Sequence, residues 1–382
     1  NFVQTEQSFK EFSLQPEDVA IFRRVCRVVW GSLLYRTSGR DIDLKHGPGA
    51  TAEGISGNQK FSVVNWTERL DQYFPFYESC YVLSARDEEE IDNVPLVPEH
   101  HELPVKVTLV PKTLKAPRVI AIEPVAMQYA QQGIRGMLYH AIESDWLTGG
   151  QINFRDQTIN QSLAISASID GQLATIDLSD ASDRVPLSLV PMMFESAPDL
   201  LGAILACRSS HAKLPDGTII GPLGKFASMG SALCFPIESM YFYTICVAAL
   251  LKKYDLPPTF ESIRFVGSKV YVYGDDLIVP QHAAEVVLEH LQKYNCRPNV
   301  AKTFVSGSFR ESCGMDAYKG ERVTPVYIRR IVPRTRQQAS ELVSWSATAN
   351  LFFKAGYYRT AELMHQRCER ILRFYPEISE NS

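Results

Sequence analysis

Two acidic sites, far apart in the chain, are where these residues could do chemistry. The first is Gly274-Asp275-Asp276, set in VYVYGDDLIVP. Val270 and Val272 precede it and Leu277, Ile278 and Val279 follow, a β-favouring frame that predicts two short strands with the acids in the turn between them. Adjacent carboxylates crowded between apolar strands repel one another, and an oxygen-ligated divalent cation such as Mg²⁺ would neutralise them. Taken alone, the tripeptide is equally ordinary turn chemistry with both acids solvated.

The second is Asp177, in QLATIDLSDASDRVP. Leu173, Ala174, Thr175 and Ile176 predict a short buried strand that delivers Asp177 at its C-terminal end, with Ser179, Asp180 and Ser182 as turn and N-cap residues. Carboxylates from two strand ends can converge on a pair of ions about 4 Å apart, one activating an attacking oxygen and the other stabilising a leaving one, as phosphoryl transfer requires. Helix capping is the alternative for Asp177, and Asp180 and Asp183 suit that role equally.

The intervening elements must position these acids. KFASMGSALCFPIESMYFYTICVAALL reads as a glycine turn opening into an apolar helix, in which Met229-Gly230-Ser231 admits a nucleotide or template base because glycine has no Cβ. Pro236 and Glu238 are expected to interrupt the apolar run, leaving Met240 to Leu251, short of the roughly 20 residues that span a bilayer. Ile245, Ala248 and Ala249 are expected to face the core. Upstream, VKVTLVPKTLKAPRVIAIEP carries Lys106, Lys112, Lys115 and Arg118 with no acid before Glu123. It predicts strands with one cationic face, either solvated or suited to triphosphate oxygens, where Arg118 could bind in bidentate fashion.

Chain-wide quantities narrow the classes. At 382 residues, two or three packed subdomains are expected. A net charge of −4 and a pI near 6.1 argue against indiscriminate nucleic-acid binding, so any RNA path is local, along the basic strands or along Lys319 to Arg336. Eight cysteines form no C-x-x-C pair and eight histidines no H-E-x-x-H, so no zinc or redox motif is indicated; Cys207, Cys234 and Cys246 read as reduced core residues. Asp87 to Asp92 reads as an acidic loop, and His46 to Gln59 as a glycine-rich surface loop. Helices are expected over Pro16 to Tyr35, Asp156 to Ser168 and Glu285 to Tyr294, the last with Val286, Val287, Leu288 and Leu291 as a buried stripe. Ser306 to Ile331 predicts hairpins. Gln338 to Phe374 predicts helix, packed through Leu342, Trp345, Leu351, Phe352 and Leu363.

In chain order, the basic strand pair, acidic strand end, glycine-opened helix and acidic hairpin resemble the motif series of viral RNA-dependent RNA polymerases. PKTLKAPRVIAIEP, DQTINQ, ATIDLSDASD, LPDG, SMGSALCFPIES, YGDD, and FRESCGMDAYKG with VTPVYIRR look like the replicases of positive-strand RNA bacteriophages, the levivirus-like group, over Pro111 to Arg330. The resemblance implies an α+β, right-hand polymerase fold, its antiparallel palm sheet backed by helices. Fingers would take 1–170 with an insertion at 196–227, palm 171–195 and 228–320, and a helical thumb 321–382. It implies template-directed RNA synthesis, with Asp177 and Asp275 as principal ligands of two Mg²⁺ ions, replaceable by Mn²⁺, and Asp276 beside them.

By the same resemblance Asp183 helps to recognise the ribose hydroxyl, and Ser228, Met229 and Gly230 contact template and incoming sugar. Lys112, Lys115 and Arg118 match the nucleotide-entry strands, and Lys302, in NVAKTF, the lysine that protonates the pyrophosphate leaving group. Ser231 stands where familiar members carry asparagine, and Asp180 where they carry alanine, as a third ligand or a cap. The implied partners are RNA template and product, nucleoside triphosphates and host elongation factors Tu and Ts, in the host bacterial cytoplasm and without a membrane. The chain starts without methionine and closes at ISENS, so it reads as a fragment with a shortened thumb. Two other classes compete: a metal-dependent phosphohydrolase or nucleotidyl cyclase using the same acids, and an inert RNA-binding subunit with a polymerase-like body.

Overall fold

The computed structural model describes residues 2–38, 42–62, 65–80, 94–111 and 117–375. The acidic run Asp87 to Asp92, the basic residues Lys112 and Lys115, and the closing ISENS lie outside these. In chain order the strands are β1 (Trp66–Thr67), β2 (Leu96–Val97), β3 (Val105–Pro111), β4 (Pro117–Ile122), β5 (Leu173–Ile176), β6 (Ala212–Lys213), β7 (Ile219–Ile220), β8 (Tyr271–Tyr273), β9 (Asp276–Pro280), β10 (Phe309–Ser312), β11 (Met315–Tyr318) and β12 (Glu321–Arg322). Among the described residues they form four sheets, ordered β1-β2, β4-β3-β6-β7, β5-β9-β8 and β10-β11-β12.

The antiparallel sheet β5-β9-β8 carries both acidic motifs. Its strands are short apolar runs rather than alternating ones, because both faces are covered: Ala174, Thr175, Leu277, Ile278 and Val279 are wholly buried. The register pairs Leu173 with Pro280 and Ile176 with Leu277, the predicted strand boundaries of Leu173–Ile176 being met to the residue.

Cys234–Lys253 is one unbroken helix of 20 residues, which corrects the expectation that Pro236 and Glu238 interrupt it. Pro236 falls in the first turn, where the amide that proline lacks has no intrahelical acceptor. By length and composition the helix could cross a membrane, but 94% of its most apolar window is buried inside the protein. Burial, not length, accounts for the apolar run. The buried face is also wider than the Ile245, Ala248 and Ala249 side: every residue from Pro236 to Leu251 is inaccessible. Such a helix must be surrounded, and it packs against β8 and the helices Pro16–Val29, Phe260–Gly267 and Ala284–Lys293. Phe22 lies 5.8 Å from the Tyr241 ring and 5.5 Å from Tyr294, and Trp30 5.9 Å from Tyr243.

Several expected helices shift. Pro16 to Tyr35 divides into Pro16–Val29 and Gly31–Thr37 around buried Trp30. Asp156 precedes the helix Thr158–Asp170 instead of starting it, accepting from the Thr158 amide at 2.8 Å. In Ala284–Lys293 only Val287 and Leu291 of the expected stripe are fully buried, with Ala284 and His290 completing the face.

The chain divides into two compact units, residues 1–108 with 119–323, and 109–118 with 324–382. The first holds the sheet and helices above. In the second, Ala339–Lys354 packs on Tyr358–Leu372. Their contact face is Leu342, Thr348, Ala349, Ala361, Met364 and Cys368, whereas Leu351 and Leu363, expected to pack, are exposed. Small residues at 349 and 361 let the helices approach closely, which turns the bulky positions outward.

Thr244 fixes the centre of the first unit, its hydroxyl accepting from the Trp30 indole N–H at 3.0 Å and donating to the Met240 carbonyl at 2.8 Å. Thr244→Val is expected to leave the indole N–H buried and unpaired at a cost of about 1–3 kcal/mol. Thermal melting should show a larger fall than for Thr244→Ser, which keeps the hydroxyl.

Candidate active site

Strand register brings the acids together. With Ile176 opposite Leu277, the residue after β5, Asp177, and the first residue of β9, Asp276, emerge at the same end of the sheet. Tyr273 pairs with Asp276, so only Gly274 and Asp275 form the turn, and Asp275 belongs to that end too. Gly274 is required twice over: its φ is +61°, and a Cβ there would overlap the Phe235 ring.

These carboxylates sense each other. Burial pushes the Asp276 carboxyl up to about 7, and Asp275, Glu311 and Asp177 add to the rise. The Cys313 amide partly offsets it, and the Ser312 hydroxyl donates to Asp276 Oδ1 at 3.4 Å. Asp177 is held from the side by residues 297–304, which run along β5. Thr175 and Phe304 exchange backbone hydrogen bonds of 3.1 and 2.8 Å, and the Asn299 amide donates to the Asp177 carbonyl at 2.9 Å. The Asn299 side chain then donates to Asp177 Oδ2 at 2.7 Å.

The same segment places Lys302 Nζ 3.9 Å from Asp177 Oδ1 and 3.4 Å from Glu311 Oε2. Partial burial pulls the Lys302 pKa down, but Asp177 and Glu311 outweigh this and hold it above the usual lysine value. Lys302 is therefore a charged acid beside the carboxylates.

Asp183 forms a second focus. It lies in the short 3₁₀ turn Ala181–Arg184, and its Oδ1 accepts from Ser228 Oγ at 2.6 Å and from Lys225 Nζ at 2.9 Å. Asp180 stands at the N-cap position with φ +53° and no side-chain capping bond, so its expected cap role is not met through the carboxylate. The Met229 carbonyl accepts from the Ala121 amide at 2.8 Å, and a Cβ on Gly230 would overlap the Ala121 carbonyl. Ser231 Oγ donates to Gln131 Oε1 at 3.1 Å and thereby ties this turn to the Val125–Ser144 helix.

Asp177, Asp275, Asp276 and Lys302 thus form one cluster, with Asp183 and Ser228 in a neighbouring one; both Asp275 and Asp183 bear on Glu238. Arg118 stands on β4 in the other compact unit. Sequence reading missed Asn299, Glu311, Glu238 and Lys225. Asn299 and Glu311 lie inside stretches already singled out, and the period-2 pattern of β10, which buries Arg310 and Ser312, puts Glu311 on the opposite face. Glu238 and Lys225 also lie in a stretch already quoted, where Glu238 read only as an interruption of the apolar run and Lys225 carried no local sign of its distant partners. Burial and then Asp275 hold the Glu238 carboxyl well above its ordinary range.

A sheet with carboxylates at one end and a buried helix behind it defines a class of fold. The chain shares the fold of viral RNA-dependent RNA polymerases: it matches the RNA-dependent RNA polymerase of BmCPV at elongation state with a TM-score of 0.54 at 9% identity, over 87% of this chain and 31% of that one. Its sequence places it more closely. Residues 100–339 match the family described as RNA replicase, beta-chain, and the chain belongs to that family. It is 40% identical over 228 residues to the RNA-directed RNA polymerase subunit beta of Qbeta virus (strain MX1), covering 59% of this chain and 36% of that protein. To the RNA-directed RNA polymerase beta chain of Escherichia phage MS2 it is 40% identical over 224 residues, 58% of this chain and 37% of the relative. The matched region thus spans a little over a third of these relatives' length.

Family membership implies a divalent cation, and the acids suit one: burial and then the neighbouring carboxylates lift Asp276, and a cation would relieve the second of these. Among the described residues no group of three or more His, Cys, Asp or Glu side chains is placed to hold a metal ion. Mg²⁺ is commonly held by one or two carboxylates completed by substrate phosphates and water, so an open set is the appropriate one.

Two outcomes follow for this end of the sheet. Gly274→Ala is expected to cost roughly 1–3 kcal/mol in chemical denaturation through strain and overpacking against Phe235. For pH, Asp276 binds its proton more tightly folded than unfolded, so its contribution to stability is fully present below about pH 4 and is lost as pH rises through about 7. In chelator, the melting temperature should fall between about pH 5 and about pH 8, and less so in Asp276→Asn.

Proposed function

We propose that the chain forms the catalytic core of a phage RNA-directed RNA polymerase, joining nucleoside monophosphates from triphosphates in the order set by an RNA template. The observation that carries this reading is the convergence of Asp177 with Asp275 and Asp276 through the β5–β9 register, beside a charged lysine. Residues 1–170 and 196–227 correspond to fingers, 171–195 and 228–320 to palm, and 321–382 to thumb.

Asp177 and Asp275, with Asp276, would hold two Mg²⁺ ions, or Mn²⁺ in their place. When bound, the metal supplies a lowered pKa for the attacking hydroxyl and neutralises charge on the phosphates. The remaining tasks fall to the chain itself. Lys302, kept protonated by Asp177 and Glu311, would give its proton to departing pyrophosphate. Asn299 fixes the Asp177 carboxylate and frees Lys302 from that task. Asp183 and Ser228 would offer an acceptor and a hydroxyl to the ribose, and Ser228, Met229 and Gly230 would contact the template and the incoming sugar. Lys112, Lys115 and Arg118 would meet the incoming triphosphate. Base choice comes from pairing, and the protein reads shape and 2′-hydroxyls.

The partners on this reading are template and product RNA, nucleoside triphosphates and the host elongation factors Tu and Ts, in the cytoplasm of a bacterial host. Asp275→Asn is expected to reduce templated incorporation by roughly 10³-fold at saturating Mg²⁺ without loss of fold. Retained incorporation would reject the assignment. Turnover of triphosphates whose product length ignores the template would instead favour a phosphohydrolase or cyclase using the same acids.

A further inference from the structure

Lys225 is a fully buried cation, with a side chain that is 0% exposed. A cation in that setting loses several kcal/mol of hydration and is stabilising only when its partners are well placed. Its first partner is Asp183 Oδ1 at 2.9 Å, the oxygen that also accepts from Ser228. The second is Glu6, whose Oε2 lies 3.9 Å from Nζ and is buried with no hydrogen bond of its own. The third is the face of Phe2, its ring centroid 3.2 Å away. Phe2 and Glu6 both come from the helix Phe2–Ser8, far from Asp183 in sequence.

The backbone around Lys225 is fixed from several directions. The Leu187 amide donates to the Gly224 carbonyl and the Phe226 amide to the Val185 carbonyl, each at 2.8 Å, so Lys225 lies on a segment paired with the one that follows Asp183. Buried Arg208 donates to the carbonyls of Leu223, Lys225 and Phe226 at 2.8, 2.7 and 2.6 Å. Glu6 Oε1 in turn accepts from the Gly224 amide. A well-packed apolar side chain at 225 would avoid the desolvation cost of a buried ammonium. What the charge adds is a fixed orientation for Asp183. Both donors take Oδ1, and no described residue hydrogen-bonds Oδ2, which is left as the acceptor for an incoming hydroxyl.

We infer that Lys225 is a positioning residue for sugar selection: braced by Phe2 and Glu6 of the N-terminal helix, it holds the Asp183 carboxylate so that its second oxygen reads the ribose 2′-hydroxyl. This rests on the polymerase reading above and adds to it a specificity determinant and a structural role for the N-terminal helix. Lys225→Met keeps the aliphatic stem and removes the charge.

The test is templated incorporation of ribonucleotides and 2′-deoxynucleotides by the full chain, with kcat/KM measured for each sugar. Lys225→Met is expected to lower the ribose-to-deoxyribose ratio by roughly tenfold, chiefly through the ribonucleotide. Asp183→Asn should do likewise, and the double variant should lose little more, since both changes remove one arrangement. Lys225→Arg should recover part of the ratio, and Phe2→Ala with Glu6→Gln should lower it by less than Lys225→Met does. An unchanged ratio, an equal loss for both sugars at matched melting temperature, or simple additivity in the double variant would overturn the positioning role. A wild-type chain that incorporates neither sugar would overturn the polymerase reading itself, whereas normal incorporation with an unaltered ratio in Lys225→Met overturns this inference alone.

Discussion

The pairing of β5 with β9 is the constraint on which the site depends. It places Ile176 opposite Leu277 and so brings two acidic sequences to one end of a small sheet. In a strand with one polar face, a slip of one residue exchanges the faces and is resisted only by the core side. Here both faces are buried, so a slip displaces apolar side chains on each. That rigidity is needed because the acids oppose it. Burial and like charge lift Asp276, and a less tightly specified sheet would relax by moving the acids apart.

Two lysines act on this charge in opposite settings. Lys302 is half-exposed, and the neighbouring carboxylates outweigh partial burial to keep it charged. Lys225 is enclosed, burial drawing its pKa down while Asp183 and then Glu6 oppose the fall. Proton donation suits the first environment, since a proton can leave and return from water. The second favours geometry over chemistry, because moving the ammonium would uncover Asp183 and Glu6 together. The segments that carry them follow the same division: residues 297–304 are laced to β5 and the residues after it by backbone bonds alone, apart from the Asn299 side chain, whereas 223–226 are also pinned by Arg208 through three carbonyls.

Much of this arrangement was legible in the chain. The strand Leu173–Ile176 and the hairpin around Gly274 were readable because apolar runs bounded by turn residues and acids have few alternatives. The family could be read because its motifs occur in order over residues now matched as a replicase beta-chain. Buried polar groups were not legible. Lys225 and Glu238 look like isolated charges in apolar stretches, and their partners Glu6, Asp183 and Asp275 are distant in sequence, so only tertiary contacts reveal them. Membrane exclusion by length failed for a related reason: Pro236 breaks a helix in its interior but not in its first turn, and sequence alone does not say which turn it occupies. The packing of Ala349 and Ala361 in place of Leu351 and Leu363 depends on which helix faces meet, a tertiary fact with no local trace.

The acids outnumber the bases around the acidic end of the sheet. Asp177, Glu311 and Asp276 bear on one lysine, Lys302, while Asp275 bears on Asp276 and Glu238, and full ionisation of all five in a partly buried space is unfavourable. Burial and like charge hold the Glu238 carboxyl well above its ordinary range and push Asp276 up to about 7, so these two bind protons more readily than ordinary carboxylates do. Glu238 lies on the wholly buried Cys234–Lys253 helix, where neutrality is the only inexpensive state, so it acts as a polar wall behind Asp275 instead of a competing charge. Asp276 is only half-buried and sits on the sheet end itself, so its proton can give way to a stronger positive charge. On the polymerase reading proposed above, a proton and a cation would compete for that carboxylate. The pairing of β5 with β9 holds Asp177 and Asp276 at one end of the sheet, so their repulsion is not relieved by parting the strands.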